Sequence, residues 1–254
     1  MDRTFVPLLA TVMVLIVNAA ANLVPINGLN TGELSRLYPT GFTPPGYVFS
    51  IWSVIYLGLL AFGIAAWRGS PRIRSRIAAI TNPYLLNALG NAAWIFAWHY
   101  RQVLLSVVIM LFILATLIVI FTRLRRLSPP STGEFLCVDG VFAIYFGWIT
   151  TATLVNVATL FFDIGWYPFG LTMDQWALAT VCGATAVYVW MVAVTRNVAY
   201  GAVFVWAAIG VSLGNPQTIT EGVRIAAISG AVGVSATLVW ALLMPRQRAL
   251  FRGR

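Results

Sequence analysis

Lysine is absent from this 254-residue chain, histidine occurs once, cysteine twice, and acidic residues only seven times. Each scarcity removes a class of chemistry. Without lysine no Schiff base can hold a retinal or another carbonyl cofactor. His99, the single histidine, has no serine and acid set around it that forms a triad within the apolar segments, and it could supply one axial haem ligand at most. No Cys-x-x-Cys-His is present. Cys137 and Cys182 lie far apart in or beside apolar segments, so they define neither a disulfide framework nor a metal motif and read as packing residues. A phosphate-binding glycine loop and carboxylates paired at helical spacing are missing too.

Charge itself is scarce. Charged residues make up 9% of the chain and apolar residues 60%, whereas a soluble domain carries about 25% charged residues. The composition is that of an integral membrane protein in a lipid bilayer. A helix needs about 20 apolar residues to cross one, and the chain offers runs near Phe5–Val24, Tyr47–Trp67, Pro83–Trp98, Val103–Thr122, Val138–Phe161, Gln175–Thr195, Val198–Gly214 and Val223–Leu243. The expected fold class is therefore an all-α, multi-pass bundle of about eight transmembrane helices. The third run is the most polar and the seventh is short. Ala19-Ala20-Ala21 offers a signal-peptidase site in the first run, but that run continues past the usual length of a signal core, and we read it as a span.

The net charge of +9 does not point to nucleic acid, because the arginines sit in alternate connections. Arg68, Arg72, Arg74 and Arg76 follow the second run, Arg123, Arg125 and Arg126 the fourth, Arg196 the sixth, and Arg246, Arg248, Arg252 and Arg254 the eighth. The other connections hold Arg36, Arg101 and Arg224 against Glu33, Asp163, Asp174 and Glu221. Arginine gathers on the cytoplasmic side, so both termini are expected there. The expected location is the bacterial inner membrane.

Polar and aromatic residues recur on particular faces. Pro44-Pro45 opens the second run, as suits a helix start, and Phe49, Trp52, Tyr56, Leu60, Gly63 and Trp67 follow at steps of three and four. In the first run Thr11, Asn18 and Asn22 share a face that must turn into the bundle, as interhelical ties or ligand contacts. Asn87, Asn91, Trp94 and Trp98 form a stripe in the third. Tyr145, Trp148, Ala152 and Asn156 share a face of the fifth, with Thr151 alongside. Residues 25–43 form a long polar connection, with Asn27-Gly28 and Asn30 as turn residues and a short helix starting near Thr31; connections of this length often cover sites.

Three of these segments carry a resemblance. Pro44-Pro45-x-Tyr47-Val48 followed by Trp52 and Tyr56, Asn91-x-x-Trp94, and the ungapped Trp148-Ile149-Thr150-Thr151-Ala152-Thr153-Leu154-Val155-Asn156 resemble the second, third and fifth helices of the translocator protein family, the tryptophan-rich sensory proteins. The second helix departs by one residue, with Phe49-Ser50-Ile51 where the family has a Gly-Pro link. Residues 27–45 resemble the first loop of extended members. The resemblance covers about residues 18–163, which implies a TspO-like five-helix unit at 1–163 followed by three further helices at 164–254. It also implies a membrane-embedded binding protein, acting as sensor, carrier or regulator, for a flat lipophilic ligand such as a porphyrin or haem, with no cofactor required. Thr159-Leu160-Phe161-Phe162-Asp163 departs from the cholesterol-recognition stretch of animal members.

From the residues and the resemblance together, the expected ligand-binding set is Asn18, Asn22, Phe49, Trp52, Tyr56, Asn87, Asn91, Trp94, Trp98, Tyr145, Trp148, Thr151, Ala152 and Asn156. Rings with a few amides suit an apolar small molecule. A transporter of small lipophiles is the alternative, and an enzyme modifying a bound pigment has only Asp139, His99 and the indoles to work with. A homodimer is the expected assembly if the protein self-associates. Asp139 reads as a solvated acid at a helix N-terminus, His99 as an interface anchor, and Gly210-x-x-x-Gly214 and Ser229-x-x-x-Gly233 as close-packing faces.

Overall fold

A computed structural model describes residues 5–24 and 26–244. Arg3 and the basic stretch after residue 244 lie outside the described residues. All described secondary structure is helical: α1 (Val6–Leu23), α2 (Thr31–Arg36), α3 (Ile51–Arg68), α4 (Pro71–Ala78), α5 (Thr81–His99), α6 (Val103–Arg126), α7 (Thr132–Glu134), α8 (Gly140–Asp163), α9 (Met173–Thr195), α10 (Val198–Ser212) and α11 (Glu221–Leu243), with short 3₁₀ turns between them. A π segment, Phe135–Asp139, joins α7 to α8.

Six of the described helical segments are long and apolar enough to cross a bilayer. α5 is long but more polar, because it carries Asn82, Asn87 and Asn91. α10 is apolar but spans only 15 residues. Their sequences explain both departures from the expected eight: Asn87 and Asn91 of α5 bond to neighbouring helices, and Asn215-Pro216 follows soon after α10.

The packing order places the site. α1 packs on α3 and α5, α5 on α6, α6 on α8, and α8 back on α3, which closes a ring of five helices. α10 packs on the outer face of α8, and α9 and α11 pack against α10 and each other. Two close approaches hold α10 there. Gly147 faces the Tyr200 carbonyl, 2.9 Å from where a Cβ would stand, and Gly210 faces Val48, whose Cγ2 lies 2.2 Å from such a Cβ. Any side chain at either position separates the helices. The expected Ser229–Gly233 face does not form: Ser229 is exposed and nothing lies within 4 Å of a Cβ at Gly233. Gly230, one residue from Ser229, makes the contact instead, against Thr185 and Phe204. Gly214 packs on Ile219 of its own connection. Cys182 is exposed on α9 rather than packed.

The arginine-rich end is tied by ion pairs. The Arg76 fork holds both oxygens of Asp139 at 2.6 and 2.7 Å and also donates to the Ser128 carbonyl at 2.8 Å. Arg72 holds Glu134 at 2.9 Å. Asp139 is therefore a paired carboxylate that fastens α4 to the start of α8, not a solvated acid. Charge-assisted, two-pronged pairs of this kind are among the stronger hydrogen bonds.

At the opposite end the connection from α1 to α3 folds over the ring. Asn30 caps α2 by accepting from the Glu33 amide, while the Glu33 carboxylate accepts from the Asn30 amide, each at 2.9 Å. Asn27, in the left-handed region at φ 56°, donates to the His99 carbonyl. This pins the connection to the end of α5.

Candidate ligand-binding site

Two adjoining chambers lie inside and at the rim of the five-helix ring. The inner one is a narrow cavity of about 70 Å³ lined by rings and small residues: Phe49 and Trp52 near the start of α3, Trp94 and Trp98 of α5, and Trp148, Thr151, Ala152, Val155 and Asn156 of α8. The outer one, about 400 Å³, is more polar, with Asn18, Asn22, Asn30, Arg36, Ser53, Tyr56 and Asn91 on its walls. Thr31, Phe49, Trp52 and Trp94 line both, so the chambers meet along an aromatic partition. The outer chamber lies in the size range of small-molecule pockets, and the inner one well below it.

The partition is built from ring contacts. Trp52 stacks on Tyr56 at 5.2 Å and meets Trp148 edge to face at 6.1 Å. Phe49 meets Trp148 at 5.9 Å, and Trp94 stacks on Trp98 at 5.5 Å. Ring pairs of this kind contribute roughly 0.5–1.5 kcal/mol each beyond area burial. The inner chamber is smaller than a macrocycle, so a flat guest enters only by parting these rings, exchanging some of their contacts for ring–guest contacts of similar worth. Its net affinity must then come from its own desolvation and from polar groups that find a partner.

Such groups are present. Trp148 is 3% exposed and its Nε1 has no hydrogen-bond partner; the Thr31 hydroxyl is likewise buried and unpaired. Both residues line the inner chamber. An orphaned buried donor costs about 1–3 kcal/mol, which a guest carrying an acceptor would restore. Two of the other indoles are satisfied: Trp94 donates to Asn156 at 3.0 Å, and Trp98 to the Thr31 carbonyl at 3.4 Å.

A buried chain of polar side chains holds the inner wall of the outer chamber. Tyr56 donates to Asn18 Oδ1 at 2.7 Å, Asn18 donates to Asn91 Oδ1 at 2.7 Å, and Asn91 donates to the Tyr145 hydroxyl at 2.9 Å. It crosses α3, α1, α5 and α8, so one network sets the spacing of four ring helices. Asn156 extends the pattern to α6 through Ser106 at 2.9 Å. Asn22 lies at the exposed rim and donates to the Asn18 carbonyl.

Of the expected set, twelve residues border one chamber or the other, and two do not. Asn87 donates to the Ile113 carbonyl and to Thr116 of α6, facing away from both chambers. It ties α5 to α6. Tyr145 is fully buried behind Trp52, with ring centroids 5.9 Å apart, and supports the wall from outside. The ring stripe of α3 also ends early: Leu60 is exposed, and Trp67 packs with Phe5 and under Arg68 at the arginine-rich end. His99 is completely buried, with Nδ1 on the Ile95 carbonyl at 2.7 Å and Nε2 unpaired. It is no interface anchor, and it borders neither chamber.

Sequence reasoning missed several lining residues. Thr31, Ser35, Phe42 and Pro44 come from the α1–α3 connection, whose length and polarity marked the segment but not the side chains. Met110 comes from α6, and Ala207 and Val211 from α10. Nothing in their local pattern distinguishes them from ordinary packing residues. Phe42, 5% exposed, also borders two further apolar cavities, one against α8 and α9 and one among α8, α9, α10 and α11. Beside it, Tyr38 packs on Trp98 and Phe162. Burial, with the nearby Asp163 carboxylate adding to it, raises the pKa of the Tyr38 hydroxyl and keeps it neutral.

Fold and site together define a multi-pass helical membrane protein with an aromatic chamber inside a five-helix ring. Residues 4–240 match the model of the TSPO-like protein family, and the chain belongs to that family. The match runs past residue 163 and includes α9, α10 and α11. No curated protein and no solved structure matches the chain.

Proposed function

We propose that the protein binds a flat lipophilic ligand of the tetrapyrrole type, a porphyrin or haem, in the inner chamber and acts as a sensor, carrier or regulator of it. Membership of the TSPO-like family supports a membrane-embedded ligand-binding role in general. The observation that carries the particular reading is the orphaned Trp148 indole N–H in a chamber walled by four tryptophans, Phe49 and Ala152. Such a chamber favours a planar aromatic guest with an acceptor near that nitrogen. The ligand set we assign is the twelve expected residues that border the chambers, and residues 1–163 are the unit that carries it. We place α1, α3, α5, α6, α8, α9, α10 and α11 across a bacterial inner membrane, with the termini cytoplasmic and the chamber mouth at the opposite face, following the distribution of arginine. Protoporphyrin IX titrated into the detergent-solubilised protein should quench tryptophan fluorescence saturably, and W148A should weaken binding by about tenfold. Unchanged affinity in W52A, W94A and W148A alike would refute the site.

A second reading, transport of a small lipophile, is favoured by Phe42, which borders the inner chamber and the two further apolar cavities. Proteoliposome flux separates the two. Ligand binding without net movement rejects transport, and movement accelerated by F42A supports it.

A further inference from the structure

We infer that the ligand is anionic at one edge: an apolar planar body ending in a carboxylate, which Arg36 receives at the rim of the outer chamber. The inference rests on the proposed binding site and adds a charge requirement to it.

The first observation is the position of Arg36. It stands near the end of α2, lines the outer chamber, and reaches over the start of α3, where its guanidinium Nη1 lies 3.8 Å from the place a Cβ on Gly46 would take. The second is that it makes no ion pair or hydrogen bond among the described residues. Glu33, one turn earlier, is the acid best placed to neutralise it, but the Glu33 carboxylate is engaged by the Asn30 amide in the capping box. The third is the composition of the chamber wall, which carries amides and hydroxyls and no carboxylate. Those amides are largely spent on one another: Asn18 accepts from Tyr56 and donates to both Asn91 and the Val14 carbonyl.

The outer chamber thus offers one uncommitted charge, positive, at its mouth, and mostly satisfied neutral groups within. The two chambers in line read as an amphipathic mould, with aromatic rings for a flat body and a guanidinium for its acidic edge. A guanidinium fork matches carboxylate geometry with two parallel hydrogen bonds. A neutral guest of the same shape gains nothing from Arg36, and a cationic one is repelled.

Arginine at a membrane surface also serves as a generic anchor to lipid phosphates, and the test must separate that role. Protoporphyrin IX and its dimethyl ester share the planar body and differ in the two carboxylates. Binding of each is followed by tryptophan quenching in neutral maltoside micelles for wild type, R36Q and R36K. Wild type should bind the diacid about tenfold more tightly than the diester. R36Q should abolish that preference by weakening the diacid alone, and R36K should retain part of it. Unaltered diester binding in R36Q reports that the chamber is intact. Equal affinity of wild type for the two porphyrins, or a loss in R36Q shared by both, overturns the charge requirement while leaving the binding site standing. Failure of both porphyrins to bind wild type removes the site and the inference together.

Discussion

Replacing Asn91 by alanine tests whether the polar chain across the ring holds the chamber open. Asn91 is 3% exposed, accepts from Asn18 and donates to the Tyr145 hydroxyl. Its removal orphans a donor on Asn18 and takes a partner from Tyr145. In a water-soluble protein two such losses cost about 2–6 kcal/mol. In a membrane the unfolded helices find other partners, and measured interhelical couplings average only about 0.6 kcal/mol, with a ceiling near 1.7. The second scale applies with all four helices placed across the membrane as proposed above. We therefore expect N91A to destabilise by about 1–2 kcal/mol and the Asn18–Asn91 coupling to be about 1 kcal/mol. The assay is a double-mutant cycle on N18A, N91A and N18A/N91A, unfolded reversibly with sodium dodecyl sulfate and followed by circular dichroism. Effects that add to within about 0.4 kcal/mol would show that the amides act independently and that no shared network sets the helix spacing.

Other substitutions probe the elements around the site. G210L should push α10 away from Val48, because even a Cβ there stands 2.2 Å from Val48 Cγ2; the result should be weaker porphyrin quenching with helical content retained, since Ala207 and Val211 form part of the chamber wall. R76M leaves Asp139 unpaired with 16% of its side chain exposed, and should destabilise by about 3 kcal/mol, the low end for a broken buried pair. R76M/D139L should recover much of that loss in the same unfolding assay.

The site was partly legible in the sequence because rings and amides at helical spacing are expensive to bury in lipid without a purpose. Trp52, Trp94, Trp148 and Asn156 stand out on that ground, and they do converge. What spacing cannot supply is the partner of each face. Asn87 and Asn91 share a stripe, yet a 40° turn between them sends one to α6 and the other to Asn18 and Tyr145. Trp67 continues the stripe of Trp52 but lies about four turns away, at the other end of α3. The wall given by α10 was invisible because Ala207 and Val211 look like any packing surface, and nothing in the sequence shows that Gly210 meets Val48. His99 read as an anchor from its neighbours Tyr100 and Arg101, whereas the connection from α1 covers it.

Filling the inner chamber tests the central claim most directly. Ala152 lies on the α8 wall between Trp148 and Asn156, and A152F places a ring in the space assigned to the guest. The account predicts a protein with native helical content and stability within about 1–3 kcal/mol of wild type, and no saturable quenching by protoporphyrin IX. Undiminished porphyrin affinity in a folded A152F protein would contradict it.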